Sequence, residues 1–238
     1  MIVVYFGDLI VAVEKSTVDE FYSKFSESCT CSPPEQLKVD GPSVTFLGFQ
    51  YYRKVDHIVI DPTDYTTKVL EAFSHLDAKP LSTPGIAAEY TAKEGDRQSP
   101  PMNKQDHRSY RRLVGQCLWL STVRRDIAYA VKELSKYIHA PTDLDRKTSA
   151  HLLKYLAGTK DEKIHLRPDK NKYFSVNAYT DADLGGCSMS RKSTSGGCLA
   201  INGSIFHSWS KQQELVADSS GESELYGLVY CAKEVIYI

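Results

Sequence analysis

The dipeptide Asn202-Gly203 constrains this chain more than any other feature, because it separates two runs with strand alternation, Gly196 to Ile201 and Ser204 to Ser210. Asn and Gly both accept the positive φ that a two-residue turn requires, so the two runs are expected to fold back as an antiparallel hairpin. Phe174 to Thr180 repeats with the same period and predicts a third strand. From Ser219 the period lengthens to that of a helix, with Leu225, Leu228, Val229 and Ala232 on one side and the pattern still running at Ile238.

Acidic residues close the first of these strands, in Tyr179-Thr180-Asp181-Ala182-Asp183, and return early in the helix, in Glu222-Ser223-Glu224. Two carboxylates converging from different elements suit a hard divalent cation, which takes oxygen ligands. Asp181 and Glu224 form the candidate pair. Asp183 faces the same way as Asp181 if the strand continues, whereas Glu222 diverges from Glu224 because residues two apart on a helix point apart. The plainer reading makes Asp181 a turn residue and Glu224 a solvated helix residue, and the residues alone leave both open. Ser193-Thr194-Ser195 has no placed His beside it and reads as a polar turn rather than a nucleophile.

Upstream, 238 residues allow one large domain or two small ones with a substantial core. Ile2 to Phe6 and Leu9 to Val13 predict a hairpin around Gly7-Asp8. Ser16 to Ser28 carries Val18, Phe21, Tyr22 and Phe25 at helical spacing, and Pro33-Pro34 ends it. Ser43 to Tyr52 and Val55 to Ile60 predict a second hairpin, with Phe46-Leu47-Gly48-Phe49 as an apolar strand. Asp61-Pro62 opens a helix containing Tyr65, Val69, Ala72, Phe73 and Leu76, expected to run until Pro80. Residues 81–106 shift to Pro, Gly, Ser and charge, and read as a linker or a long meandering loop.

A helical block follows, over Ser109 to Thr122, Asp126 to His139 and Asp143 to Ala157, with Gly158 as the expected C-terminal cap. Arg108, Arg111, Arg112, Arg124 and Arg125 gather here, either as phosphate contacts or as a solvated face. With a net charge of -1 there is no global basic signature, so nucleic-acid binding must rest on such a patch. The six cysteines lack zinc-site spacing and read as free thiols. The seven histidines share no spacing, and none is expected to be a ligand; Trp119 and Trp209 are expected in the core. No apolar run spans a bilayer and no charged-then-apolar leader opens the chain, which predicts an intracellular protein, cytoplasmic or nuclear, without a membrane partner.

Several phrases, taken together, resemble the copia-type LTR retrotransposon Pol polyprotein, in its reverse transcriptase and ribonuclease H portion. Tyr5-Phe6-Gly7-Asp8-Leu9 is similar to that family's Tyr-Val-Asp-Asp-Leu polymerase turn, and Phe46-Leu47-Gly48 to its palm-to-thumb strand. Tyr110 to His139 resembles the family's block that runs from Tyr-Arg through Leu-Val-Gly to Asp-Ile-Ala-Tyr-Ala-Val, His151 to Thr159 resembles its helix before ribonuclease H, and Tyr179 to Tyr226 resembles the ribonuclease H module itself.

The resemblance implies an α+β or α/β chain in four parts: a partial palm and thumb (1–80), a linker (81–106), a helical connection (107–170) and a truncated ribonuclease H-like mixed sheet with one helix (171–238). It implies paired magnesium or manganese ions about 3.5–4 Å apart acting on RNA:DNA hybrid or other nucleic acid. Asp8, Asp181 and Glu224 would be catalytic, and Asp183 would be a substitute oxygen ligand beside Asp181 and Glu224. Gly7 stands where the family has the first of two adjacent carboxylates, and the family's third ribonuclease H Asp would fall beyond Ile238. The chain is therefore expected to be inactive alone, with its first ribonuclease H strand an open edge that invites a protein partner. A non-catalytic binding or scaffold subunit is the alternative.

Overall fold

The computed structural model describes residues 2–5, 8–12, 14–85, 100–169 and 173–236. Among them the chain forms, in order, β1 (Ile2–Tyr5), β2 (Asp8–Val11), α1 (Val18–Ser28), β3 (Val44–Phe46), β4 (Phe49–Arg53), β5 (Ile58–Asp61) and α2 (Thr63–Ala72). There follow α3 (Lys104–Leu120), α4 (Ala128–Ser135), α5 (Asp143–Gly158), β6 (Ile164–Leu166), β7 (Val176–Ala182), β8 (Thr194–Ile201), β9 (Ser204–Gln212) and α6 (Ser220–Ile236). The architecture is mixed α/β, with the strands in three antiparallel sheets ordered β1-β2, β3-β4-β5-β6 and β7-β8-β9. The mixed sheet expected over 171–238 is thus replaced, among the described residues, by an antiparallel one.

The opening hairpin forms as expected, except that Asp8 pairs with Tyr5 as a strand residue rather than sitting in the turn. Phe6 and Gly7 lie outside the described residues. In α1, Phe21 and Phe25 stack at 5.8 Å, yet no residue of the helix is buried. Thr17 does not cap α1; its hydroxyl donates to the Glu14 carbonyl oxygen at 2.8 Å instead.

Phe46-Leu47-Gly48-Phe49 is not one strand. Leu47 (φ 53°) and Gly48 (φ 86°) form a two-residue turn that sends β4 back along β3, with Phe46 opposite Phe49. Two positive φ angles in a row reverse a chain whose apolar composition alone reads as extended. The expected single hairpin becomes a meander, to which β6 adds an unanticipated fourth strand pairing Ile164 with Ile60.

Helix α2 ends at Ala72, well before Pro80. Ser74 takes a left-handed φ of 55°, His75 N–H bonds the Leu70 carbonyl at 2.8 Å and Ser74 N–H bonds that of Glu71 at 3.1 Å, a Schellman closure built without glycine. Gly158 is likewise not a left-handed cap; it is the last residue of α5, and a Cβ there would sit 2.8 Å from Pro80 Cβ. Its role is to let the chain at Pro80 pass close to the helix end.

The main core is built from Leu70, Val114, Cys117, Leu120, Ile127 and Leu156, all fully buried, with Phe49 of β4 stacked on Trp119 at 6.1 Å. Trp119 donates to the Leu47 carbonyl at 3.2 Å, so the turn and the helical block fix each other. This core, and the pairing of β5 with β6, join residues on both sides of the expected linker. The linker's described ends are also tied down: Leu81 N–H reaches the Lys154 carbonyl at 3.4 Å and Met102 N–H that of Pro141 at 2.8 Å. Helix α3 starts inside the expected linker because Asn103 caps it, accepting from the N–H groups of Gln105 and Asp106 at 2.9 Å. Residues 86–99 lie outside the described residues.

In the third sheet Asn202 (φ 47°) and Gly203 (φ 82°) make the expected turn between β8 and β9. Helix α6 lies on this sheet through Ser223, Gly227 and Cys231, its buried residues. A Cβ on Gly227 would be 3.4 Å from both Thr180 Oγ1 and Ser195 Oγ. The large apolar residues point elsewhere: Leu225 is 56% exposed and Leu228 57%. The apolar stripe read from the sequence is real, but it is a surface. No helix among the described residues is long and apolar enough to cross a membrane.

Candidate functional site

Strand β7 positions the candidate carboxylates, and its backbone register decides what each can do. Asp183 N–H bonds the Thr194 carbonyl at 3.2 Å, and the Ser175 carbonyl accepts from Asn202 N–H at 3.0 Å, so odd-numbered residues turn their backbone groups toward β8. The even-numbered Val176, Ala178, Thr180 and Ala182 therefore aim theirs at the open side, where β7 has no neighbouring strand among the described residues. Glu224 reaches over this edge, and its Oε1 accepts from Ala182 N–H at 3.3 Å.

The helix thus returns a carboxylate to the strand end, as expected, but onto backbone. Thr180 and Ala182 lie beneath α6 at Gly227, so strand alternation puts Asp181 on the opposite face. Asp183 does not share that face by strand continuation, because β7 stops at Ala182. Its Oδ1 accepts from Thr194 N–H, and its carboxylate covers Gly186, where a Cβ would overlap Oδ2. Burial, together with the charges of Glu133 and Asp183, pushes Tyr129 of α4 up to about 12.

The three carboxylates consequently go three ways, and among the described residues no group of three His, Cys, Asp or Glu side chains could hold a metal ion. The residues do not fit the paired magnesium or manganese that the resemblance implies. Asp8 belongs to the separate two-stranded sheet. Glu222 closes the start of its own helix, accepting from Asp218 N–H and Tyr226 O–H at 2.8 Å, and these bonds hold its carboxyl below the usual range.

The hydroxyls of 193–195 are all engaged structurally. Ser193 Oγ accepts from Gly185 N–H at 3.0 Å, Thr194 Oγ1 from Lys132 Nζ at 3.0 Å and Ser195 Oγ from Gln213 Nε2 at 2.9 Å. Thr194 and Ser195 open β8 rather than forming a turn.

The five arginines separate into two groups. Arg108, Arg111 and Arg112 are exposed at i, i+3 and i+4 on α3, one helix face. Arg124 is 2% exposed: Nε and Nη2 bond the Asp126 carboxylate at 3.0 and 2.7 Å, while Nη1 and Nη2 bond the Thr159 carbonyl and hydroxyl, both at 2.7 Å. That guanidinium is closed to a phosphate. Arg125 donates to the Ile205 carbonyl at 2.8 Å and links the helical block to β9. Burial of Arg124 opposes its charge, but the Asp126 partner prevails and its pKa is raised.

Sequence reasoning missed a cleft of about 480 Å³ between α3, α4 and β9, lined by Ser121, Thr122, Lys132, Ser135, Lys136 and Ser210 among others. Its walls come from segments some eighty residues apart and leave no local signal. It also missed Cys187, whose thiol is raised by burial but brought down to about 7 by the Ser190 hydroxyl and nearby N–H groups, with help from Lys136.

These features define a mixed α/β protein in which a strand–helix pair presents acidic residues at an open sheet edge. An uncharacterized mitochondrial protein of Arabidopsis thaliana is 32% identical over 202 residues, covering 84% of this chain and 80% of that protein. Retrovirus-related Pol polyproteins from the Arabidopsis transposons RE2 and RE1 are each 30% identical, over 99% and 81% of this chain. This chain spans only 15% and 13% of those two polyproteins. No protein-family model matches the chain, and no solved structure does. The chain belongs to the copia-type retrotransposon Pol polyprotein family.

Proposed function

We propose that the chain corresponds to the junction of reverse transcriptase and ribonuclease H in a copia-type Pol polyprotein, and that alone it neither synthesises DNA nor cleaves RNA:DNA hybrid. In this reading 1–80 derives from palm and thumb, 107–170 from the connecting helices and 171–238 from ribonuclease H. The observation that carries the inactivity is the dispersal of the acids, with Glu224 on the Ala182 amide and Asp183 on that of Thr194. A two-ion mechanism needs several carboxylates converging on one place, and no group of three His, Cys, Asp or Glu among the described residues does so. The test is hybrid cleavage with magnesium or manganese by the chain beside Asp181→Asn and Glu224→Gln. Neither variant nor parent is expected to cleave above blank; cleavage by the parent that either substitution abolishes overturns the reading.

A retained nucleic-acid contact would use Arg108, Arg111 and Arg112. The scaffold alternative draws its support from the β7 edge, which fits a strand donated by another polypeptide. Tyr230 packs on Trp209 of β9 at 5.7 Å and Glu224 reaches β7, so these residues mark the two flanks of α6. At 100° per residue, exposed Leu228 and Val235 fall on the β7 flank, above the free edge. Amide exchange at Ala178 and Thr180 as fast as in the unfolded chain supports an empty edge, and strong protection in a monodisperse monomer counts against it.

A further inference from the structure

Outside the carboxylate region, two histidines 108 residues apart in sequence come together on the β5–β6 side of the second sheet. His57 precedes β5 and His165 is the middle residue of β6, opposite Val59. His57 Nε2 and His165 Nδ1 are 3.2 Å apart, with ring centroids at 5.2 Å. On the other side of the His57 ring, Nδ1 lies 2.6 Å from Asp56 Oδ1. Arg167 pairs with Asp56 through Nε at 3.2 Å and lays its Nη2 over the His57 ring, 3.3 Å from Nδ1 and 3.4 Å from Nε2.

We infer that His57 and His165 form a chelating site for a borderline transition-metal dication, with zinc as the reference ion. Zinc–imidazole bonds of 2.0–2.1 Å at a tetrahedral angle put two nitrogens about 3.3–3.4 Å apart, close to the separation already present. Asp56 holds the proton of His57 on Nδ1, leaving the Nε2 lone pair toward His165. This is the carboxylate–histidine arrangement that fixes the orientation of an imidazole for a metal. His165 completes the pair by moving its proton from Nδ1 to Nε2, so no co-reactant is needed. The opposed charges of Asp56 and Arg167 offset one another beside the ion. Imidazole ligands select zinc, nickel or copper over magnesium. Because one ligand immediately precedes β5 and the other sits on β6, an ion here cross-links the strand that follows α5 to the early meander.

The experiment is isothermal titration of the untagged chain with zinc chloride, with a parallel thermal-unfolding series. The expected result is one saturable site per chain, a rise in Tm with zinc, and no competition from millimolar magnesium. Exposed His165→Gln preserves the strand and should lose both the binding and the Tm rise. Asp56→Asn should weaken binding by roughly 10–100-fold, and His139→Ala should bind as the parent does. Absence of saturable zinc binding, unchanged binding in His165→Gln, or displacement of zinc by magnesium overturns the inference.

Discussion

Arg124 offers the sharpest test of how this chain is held together, because the sequence leaves it either a phosphate contact or part of a solvated face, and the fold uses it as a strut. In Arg124→Met the side-chain volume is largely kept while four hydrogen bonds to Asp126 and Thr159 disappear. Removing one member of a buried ion pair costs about 3–5 kcal/mol. The Asp126 side chain is 38% exposed and is re-solvated in part, so the low end applies, about 3 kcal/mol. For a chain of this size that lowers Tm by roughly 6–12 °C. Urea unfolding followed by tryptophan fluorescence, with calorimetry, measures both.

The pH dependence follows from Asp126. Burial raises its carboxyl, but the hydrogen bonds and charge of Arg124 prevail and hold it below the usual range. A depressed carboxylate contributes stability that is full above its unfolded pKa of about 4 and lost as pH falls through the folded value. The gap between parent and Arg124→Met is therefore level from about pH 5 to 8 and narrows below about pH 4. A loss under about 1 kcal/mol, or a gap that widens in acid, refutes the strut. If the chain binds nucleic acid, the log–log salt slope stays unchanged in Arg124→Met, whereas Arg111→Gln lowers it by about 0.9 for one phosphate contact.

Three further outcomes are expected. Gly197→Ala would put a Cβ 2.2 Å from Trp209 Cζ2 and 2.7 Å from the Tyr179 carbonyl, so chemical denaturation should show a loss of about 2–3 kcal/mol. Gly227→Ala meets only ordinary contacts, at 3.4 Å and beyond, inside a helix; it should stabilise by about 0.5–1 kcal/mol, and any destabilisation argues against the seat assigned to α6. Iodoacetamide labelling of Cys187 should have its midpoint near its pKa of about 7, while buried Cys117, pushed up to about 12, stays unlabelled until the protein unfolds.

What could be read in advance was what is local. Asn202-Gly203 announced the β8–β9 turn, and the helical spacing of Leu113, Cys117 and Leu120 announced α3, because each depends on a few neighbouring residues. Leu47-Gly48 was obscured by apolar flanks that also suit a continuous strand. The three residues of β6 were too short to show a period and exist as a strand only because β5 offers an edge. The apolar stripe of α6 was legible but its direction was not: Ser223, Gly227 and Cys231 are small enough to let the helix approach β7 and β8 closely, so close approach outweighed hydrophobicity. The site suffered most, since Asp183 and Glu224 were placed by amides of Thr194 and Ala182, which no spacing rule in their own segments names.

The Glu224–Ala182 contact is itself testable, and its strength bears on both readings of function. At 3.3 Å, on an exposed edge, it is a weak hydrogen bond. If Glu224 is replaced by Ala, water solvates the Ala182 amide, and the expected loss is about 0.5 kcal/mol. Ala182 amide exchange should quicken while that of Tyr179, whose backbone faces β8, stays slow. A contact this weak yields readily to a donated strand that hydrogen-bonds Ala182 in its place, and the Glu224 carboxylate is then released at the strand end. A loss above about 1.5 kcal/mol, or unchanged exchange at Ala182, refutes this account and makes Glu224 a fixed part of the fold.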